Sequence, residues 1–172
     1  MTRPLPHWRP MSPADLPAAL AVAGIVHPRY PEDPAVFAER LALYPEGCLI
    51  LVQGDRAIGY IVSHPWRYAE PPALNSLLGA LPAQPSTYYV HDIALLPEAR
   101  GSGAANDVVT RLILQAEARG LPNLSLIAVN DSVAFWQRHG FVVTLAPALD
   151  KKLRSYDEFA RFMVRQCGQT RA

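Results

Sequence analysis

A run of small residues, Arg100-Gly101-Ser102-Gly103-Ala104-Ala105, is the segment of this sequence whose residue types best suit ligand binding. It lies between a strand-like apolar run and a run with helical spacing. Small side chains let the backbone approach a ligand closely. The first N–H groups of a helix have no partners within the helix and carry the positive end of its dipole. The turn therefore predicts a site for a phosphate or pyrophosphate.

Two well-known phosphate-binding turns do not fit this run. A P-loop requires Lys and then Ser or Thr after the last glycine, where Ala104-Ala105 stand. A dinucleotide-binding turn requires a third glycine at Asn106 and an acidic residue at the end of the following strand. That strand ends at Val129-Asn130, and Asp131 comes too late. Taken alone, the turn is equally typical of an ordinary helix start.

Strands and helices alternate around this turn. The residues from Tyr88 to Leu95 predict a strand, and apolar residues at helical spacing predict a helix that follows the turn and ends at Gly120. Further elements are predicted as a strand over 124–129, a helix over 132–139, a strand over 141–144 and a last strand over 159–164. This alternation predicts an α/β fold with a mixed sheet and helices on its faces.

The first half predicts two helices, a hairpin and a long loop. Ser12-Pro13-Ala14-Asp15 is typical of a helix start, and the helix it begins runs to Val26. Asp33-Pro34 repeats that signal for a second helix. Apolar runs over 49–52 and 58–62 predict hairpin partners. Residues 65–87 are rich in proline, and we expect a loop there with one or two helical turns over 73–78.

Length and composition indicate one domain over residues 1–172. The net charge of +1 gives no sign of nucleic-acid binding, and no apolar run is long enough to predict a membrane span. Cys48 and Cys167 form no CxxC pair, so we expect reduced thiols in a cytoplasmic protein and no metal site. The sequence does not decide between a monomer and a homodimer.

Two motifs in the second half together resemble those of the GNAT acetyltransferases. Leu95-x-Pro97-x-x-Arg100-Gly101-x-Gly103-x-Ala105 is similar to the loop that binds the acetyl-CoA pyrophosphate. About 27 residues later, Asn130 is followed by Phe135-Trp136-Gln137-Arg138-His139-Gly140-Phe141, similar to the second family signature. The resemblance implies a single GNAT-like α/β domain with a mixed, mostly antiparallel central sheet. It also implies helices on both faces and a V-shaped splay between parallel strands 88–95 and 124–129.

The resemblance further implies acetyl-CoA as co-substrate. The pantetheine arm would pair with backbone groups of the first strand, the pyrophosphate would lie on the amides of residues 101–105, and an N–H near Ile93–Leu95 would stabilise the oxyanion. The residues expected to bind the cofactor are Leu95, Leu96, Arg100, Gly101, Ser102, Gly103, Ala104, Ala105, Asn130 and Trp136.

Direct attack by an amine requires a base, because an alkylammonium with a pKa of about 10 has no free lone pair at neutral pH. We expect His91 to be this base, since its strand bears the base in several family members. Tyr89 shares the face of His91 and is the second candidate, whereas Asp92 points to the opposite face. Two plainer interpretations stay open: His91 as a packed structural residue, and Asp92 as a cap or partner within the fold.

The sequence departs from the family at Trp136, where a tyrosine usually protonates the departing CoA thiolate. An indole N–H cannot do this. Tyr88, Tyr89 or Ser132 would then serve, or the thiolate would leave unassisted, which a thiol pKa near 8.5 allows. Trp136 would pack against the pantetheine or in the core.

The acceptor is expected to be a primary amine of a small molecule. Its pocket would draw on residues 24–34 and 64–87, where the candidates are Tyr30, His64, Trp66, Arg67 and Tyr68. Aromatic side chains with one Arg suit a partly apolar amine that also bears a carboxylate. Alternatively, the proline-rich loop only covers the sheet edge. Two other functions stay open: a non-catalytic acyl-CoA-binding module, and an acetyltransferase of protein N-termini or lysines.

Overall fold

Seven strands and five α-helices make up the computed structural model, which describes residues 2–154 and 157–168. The strands are β1 His7–Pro10, β2 Cys48–Gln53, β3 Arg56–Trp66, β4 Thr87–Leu95, β5 Asn123–Ala128, β6 Val142–Val143 and β7 Arg161–Gln166. The helices are α1 Leu16–Val26, α2 Pro34–Leu43, α3 Ala104–Ala118, α4 Val133–Arg138 and α5 Pro147–Arg154. In these residues no helix has the length and apolar character needed to cross a membrane.

The strand order in the sheet is β1-β2-β3-β4-β5-β7-β6. The pairing of β4 with β5 is parallel, and that of β1 with β2, β2 with β3, β5 with β7 and β6 with β7 is antiparallel. The predicted α/β fold with a mixed, mostly antiparallel sheet is confirmed.

The chain forms two compact units. The first comprises residues 2–64, 72–80 and 91–110, and the second comprises 65–71, 81–90 and the described residues from 111 onward. The extent of a single domain over residues 1–172 therefore stays a prediction.

In the first unit, the predicted helix start at Ser12 is confirmed. A 3₁₀ turn over Pro13–Asp15 leads into α1, and the Asp15 carboxylate accepts a hydrogen bond from the Ser12 N–H at 2.8 Å. The ion pair with Arg9, 2.7 Å away, holds the pKa of Asp15 well below its usual range. Strand β1 was not predicted, because Pro6 precedes it and Pro10 is its last residue. It is the first strand of the sheet order, and proline is tolerated in such an edge strand.

Helix α2 buries one face in the first unit. Val36, Phe37, Arg40 and Leu41 are buried, and the Phe37 ring meets the edge of Tyr60 on β3 with 5.4 Å between centroids. These positions recur at helical spacing and so form one face of α2.

In the second unit, β4 and β5 pair over three residues only, Tyr88–Val90 with Leu124–Leu126. Both strands continue beyond this register, β4 to Leu95 and β5 to Ala128. At its start, the Thr87 hydroxyl donates to Asn123 at 2.6 Å, which satisfies two buried polar side chains.

Three predictions of local structure were wrong. Strand β3 continues through His64 to Trp66, so the loop before β4 is shorter than expected, and residues 73–78 form turns instead of a helix. The last strand begins at Arg161, because Asp157 accepts a hydrogen bond from the Phe159 N–H at 2.8 Å and holds that residue in a turn. Helix α5 was missed. Its buried Leu149 and Leu153 pack in a cluster with Phe162 and Val164, which brings together residues distant in sequence.

Candidate active site

His91, the predicted base, lies in the second half of β4 and is paired with Glu32 from the connection between α1 and α2. The His91 Nε2 and Glu32 Oε1 atoms are 2.7 Å apart. Both side chains are nearly enclosed, with 8% of His91 and 6% of Glu32 exposed. The second Glu32 oxygen accepts a hydrogen bond from the Asn75 N–H at 3.1 Å. A carboxylate so placed fixes the orientation of the His91 ring.

Asp92, the next residue, links two other side chains of the first unit. One carboxylate oxygen lies 2.9 Å from the His27 Nε2, and the other accepts a hydrogen bond from the Tyr60 hydroxyl. The His27 Nε2 also lies 3.0 Å from the Ile93 carbonyl oxygen. The interpretation of Asp92 as a residue paired within the fold agrees with this geometry.

Charge and burial have opposite effects on the pKa of His27, which is paired with Asp92. Burial lowers the pKa of His27, but the hydrogen bond and charge of Asp92 outweigh it and raise the pKa above 6.5. Burial, together with the Asp92 charge, raises the pKa of Tyr60 well above 10.0. Tyr60 therefore stays protonated near neutral pH and acts as a donor to Asp92.

A cavity of about 230 Å³ adjoins these groups in the first unit. It is bounded by parts of α1, α2 and their connection, and its polar walls are supplied by His27, Tyr30, Glu32 and Asp92. Apolar walls come from Leu20, Ala23, Pro28, Pro31 and Phe37. The cavity thus combines an apolar body with two carboxylates, a combination that suits a small cationic ligand.

The glycine turn before α3 also lies in the first unit. Gly101 and Gly103 have φ angles of +76° and +83°, a region that L-residues rarely adopt, and a side chain at either would meet open space. Within the described part of the chain, the N–H groups of these two glycines donate to no protein acceptor. Arg100 and Ser102 flank them, and Ser102 Oγ donates to the Ala99 carbonyl at 2.6 Å. These amides meet the requirements of an anion site.

Buried contacts hold this turn in place. The carbonyl of Ala104, the first residue of α3, accepts a hydrogen bond from the Trp8 indole at 2.8 Å. Ala104 is buried and Ala105 partly buried.

The end of β4 adds detail to the expected pantetheine contacts. The Leu96 N–H donates to the Ile58 carbonyl at 2.9 Å, and the Leu96 carbonyl accepts from the Ala99 N–H at 2.9 Å. Both backbone groups of Leu96 are thus already engaged, which leaves Leu95 as the better candidate. Gly59 lies against this point: a Cβ there would stand 2.6 Å from Leu95 Cδ2 and 2.9 Å from the Ala94 oxygen.

The remaining predicted site residues lie in the second unit. Tyr89 is buried on β4, opposite Ser125 of β5. Asn130 is exposed after the end of β5 and has a φ angle of +52°. Trp136 is buried, with its ring centroid 4.9 Å from that of Phe135 and 5.2 Å from that of Phe141. This aromatic cluster fits the packing interpretation of Trp136.

The expected acceptor residues are only partly brought together. Tyr30 lines the cavity, and His64 lies near His91, with 6.4 Å between ring centroids. In the second unit, Arg67 lies over the Trp66 ring at 4.7 Å, and Tyr68 meets the edge of a Phe162 ring. None of the residues 66–68 lines the cavity described above.

Glu32, His27 and Tyr60 are the residues of this cluster that the sequence interpretation did not identify. Glu32 and His27 fall inside the stretch 24–34 that was expected to contribute to the acceptor pocket. As titratable residues in that stretch, they could have been named as candidates from the sequence. Nothing in the strand pattern of β3 distinguishes Tyr60 from an ordinary core residue, because its ring is buried and only its hydroxyl contacts Asp92.

A sequence model of the acetyltransferase (GNAT) family matches residues 14–141. The chain belongs to this family. The match covers both motifs of the second half as well as α1, α2 and the His91–Glu32 pair. This GNAT chain is therefore an enzyme of the acetyl-CoA-dependent acetyltransferase class. No curated protein matches its sequence at the level of significance applied.

Solved structures agree on the fold. The loading GNATL domain of CurA from Lyngbya majuscula is 14% identical, with a TM-score of 0.76 over 94% of this chain and 97% of that domain. A GNAT-like decarboxylase, GphF, in complex with isobutyryl-CoA is 15% identical, with a TM-score of 0.73 over 93% and 98%. The ribosomal-protein-S18-alanine N-acetyltransferase from Escherichia coli is 17% identical, with a TM-score of 0.64 over 97% of each chain.

Proposed function

We propose that this GNAT enzyme transfers the acetyl group of acetyl-CoA to the primary amine of a small molecule by direct attack. The observation that carries the proposal is the pairing of His91 on β4 with Glu32, whose carboxylate also lies in the wall of a small cavity. The pair supplies a means of removing a proton from an ammonium. The cavity supplies a place for the ammonium to bind.

Acetyl-CoA would use the glycine turn and the end of β4. The free amides of Gly101 and Gly103 and the N-terminus of α3 would receive the pyrophosphate, with Arg100, Ser102, Ala104 and Ala105 around them. The pantetheine arm would pair at Leu95. Asn130 and Trp136 stay candidates for contacts with it. No metal ion takes part in the proposed reaction.

The proton would pass to His91. Because a carboxylate accepts hydrogen bonds only, the neutral imidazole carries its proton on Nε2, toward Glu32, and its lone pair on Nδ1. Uptake of a proton at Nδ1 would give an imidazolium that keeps its hydrogen bond to the Glu32 carboxylate. The free amine then attacks the thioester carbon, and an N–H near Ile93–Leu95 stabilises the oxyanion. The C–S bond breaks as the CoA thiolate leaves, and the second proton of the amine nitrogen passes to the thiolate, directly or through water. Tyr89 is the alternative base, acting through water.

The cavity favours amines without a carboxylate. Glu32 and Asp92 lie in its wall, and neither Lys nor Arg is among the residues that line it. His27 lines it too but is paired with Asp92, so Glu32 would repel a substrate carboxylate. Its volume of about 230 Å³ suits a small molecule better than a folded polypeptide. We therefore place small aromatic or aliphatic amines ahead of amino acids and of protein N-termini or lysines.

The test is acetyl-CoA turnover, measured as thiol release, with a panel of arylalkylamines, diamines, amino acids and short peptides. Parent enzyme and His91→Ala are compared across pH. General-base assistance is typically worth about 10² to 10⁴ in rate, so kcat should fall by that order while the affinity for acetyl-CoA stays the same. The loss should shrink at high pH, where the free amine is abundant.

Two results would reject the proposal. If no amine supports turnover while acetyl-CoA binds, the chain is a non-catalytic acyl-CoA-binding module. If only peptides are acetylated, the acceptor class is wrong. An unchanged rate and pH profile for His91→Ala would remove this residue as the base, and Tyr89→Phe would be the next variant to compare.

A further inference from the structure

We propose that residues 73–79, here called the strap, position Glu32 against His91 and that Asn75 is the positioning residue through which they do so. The inference rests on the proposed function and extends it to a segment with no part in the chemistry itself. The strap lies in the first unit, together with α2, Glu32 and His91.

Asn75 makes three hydrogen bonds to the residues that precede α2. Its N–H donates to Glu32 Oε2 at 3.1 Å, its Oδ1 accepts from the Asp33 N–H at 2.7 Å, and its Nδ2 donates to Asp33 Oδ2 at 3.3 Å. The side chain thus fastens the strap to the first residue before α2. The main chain of the same residue holds one oxygen of Glu32.

A second anchor lies one to two turns further along α2. The Glu39 carboxylate accepts from the N–H groups of Leu78 and Gly79 at 2.6 and 3.0 Å, and the Arg40 guanidinium donates to the Ser76 carbonyl at 3.0 Å. These bonds lower the pKa of Glu39 against the effect of its burial, so it is charged when it binds the strap. The strap is therefore tied at Asn75 to the residues before α2 and at 76–79 to α2 itself.

The backbone conformation at position 75 explains why an asparagine occupies it. Its φ angle is +56°, in the left-handed region that asparagine and glycine adopt more readily than other residues. This conformation turns the N–H toward Glu32 while the side chain reaches Asp33. A glycine at this position would keep the backbone conformation but lose the side-chain hydrogen bonds to Asp33. An alanine would lose these hydrogen bonds and would also disfavour the conformation.

The consequence for His91 follows from the two oxygens of Glu32. One is held by the strap and the other by His91, so the carboxylate bridges them and its orientation is set by both. If the strap detaches, Glu32 can rotate and the imidazole loses the partner that keeps its proton on Nε2. The effect on rate should be large for a small displacement, because base catalysis needs the lone pair in line with the ammonium.

The experiment compares Asn75→Gly with Leu77→Ala, a matched control in the same strap whose side chain is 61% exposed. Asn75→Gly should lower kcat by about tenfold to a hundredfold and leave the KM for acetyl-CoA unchanged. Leu77→Ala should behave as the parent. Glu39→Gln, which weakens the second anchor, should act in the same direction as Asn75→Gly and replaces it if that variant does not fold.

Two readouts separate positioning from a general structural role. In a double variant with Glu32→Gln, Asn75→Gly should cause no further loss in kcat, because both act through one carboxylate. The ring ¹⁵N signals of His91 in Asn75→Gly should also move toward those in Glu32→Gln. Additive losses, or ring signals equal to those of the parent, would overturn the inference. If Glu32→Gln and His91→Ala both keep the parental rate, the proposed base is wrong, while the ring signals still decide whether the strap holds Glu32.

Discussion

Asp92→Asn should destabilise the protein in a way that depends on pH. Asp92 accepts hydrogen bonds from His27 and Tyr60, and 17% of the Asp92 side chain and 15% of the His27 side chain are exposed. Hydrogen bonds to a charged group contribute about 2 kcal/mol each and neutral ones about 1 kcal/mol. Asn keeps the shape and loses the charge, so the two bonds together should weaken by about 2 kcal/mol at pH 6. For a chain of this size that is a fall in Tm of roughly 4–8 °C.

The pH dependence follows from His27. Its folded pKa is raised above 6.5, so its contribution to stability is complete below about pH 6.5 and is lost as the pH rises through the folded value. Without the Asp92 charge, burial, which lowers the pKa of His27, is opposed only by the Ile93 carbonyl and the charge of Glu32, so the contribution of His27 at low pH shrinks. The difference in free energy of unfolding between parent and variant should therefore be larger at pH 6 than at pH 9.

Urea unfolding at both pH values measures this difference, and His27→Gln is the matched control. In a His27→Gln background, Asp92→Asn should cost the same at pH 6 and pH 9. A loss under about 0.5 kcal/mol at pH 6, or a loss independent of pH in the parent background, would show that the His27–Asp92 pair does not form in solution.

Three further changes test other parts of the molecule. Gly103→Glu should strongly weaken acetyl-CoA binding in calorimetry, through charge repulsion at the expected pyrophosphate site. Gly120→Glu controls for backbone strain, because Gly120 also has a positive φ angle and open space around it. Equal affinities of Gly103→Glu and the parent for acetyl-CoA would show that the pyrophosphate does not bind at this turn. Gly59→Ala should displace the Leu95 side chain, lower the free energy of unfolding by about 1–3 kcal/mol and raise the KM for acetyl-CoA. A parental stability together with a parental KM would contradict the close contact between residue 59 and Leu95. Trp136→Phe should cost about 1–2 kcal/mol in unfolding but keep most of kcat, and a thousandfold fall in a folded variant would refute its assignment to packing.

Local sequence determined the elements whose signals lie within a few residues. The start of α1 at Ser12, the hairpin of β2 and β3 and the helix after the glycine turn were predicted because capping, alternation and helical spacing act over short distances. Strand β1 and helix α5 were missed because long-range partners stabilise them. Helix α5 is stabilised because Leu149 and Leu153 pack against Phe162 and Val164. No local sequence pattern near α5 indicates this packing.

The same division holds for the candidate site. The glycine turn could be predicted from the sequence because backbone amides, positive φ angles and a helix start are supplied by consecutive residues. His91 could be named from its type and strand. Its partner could not, since Glu32 is 59 positions away along the chain and its own neighbours give no sign of a contact with β4. The tertiary structure alone decided that Glu32 faces His91 and that Asp92 joins His27 to Tyr60, because pairing between distant side chains depends on how the elements pack.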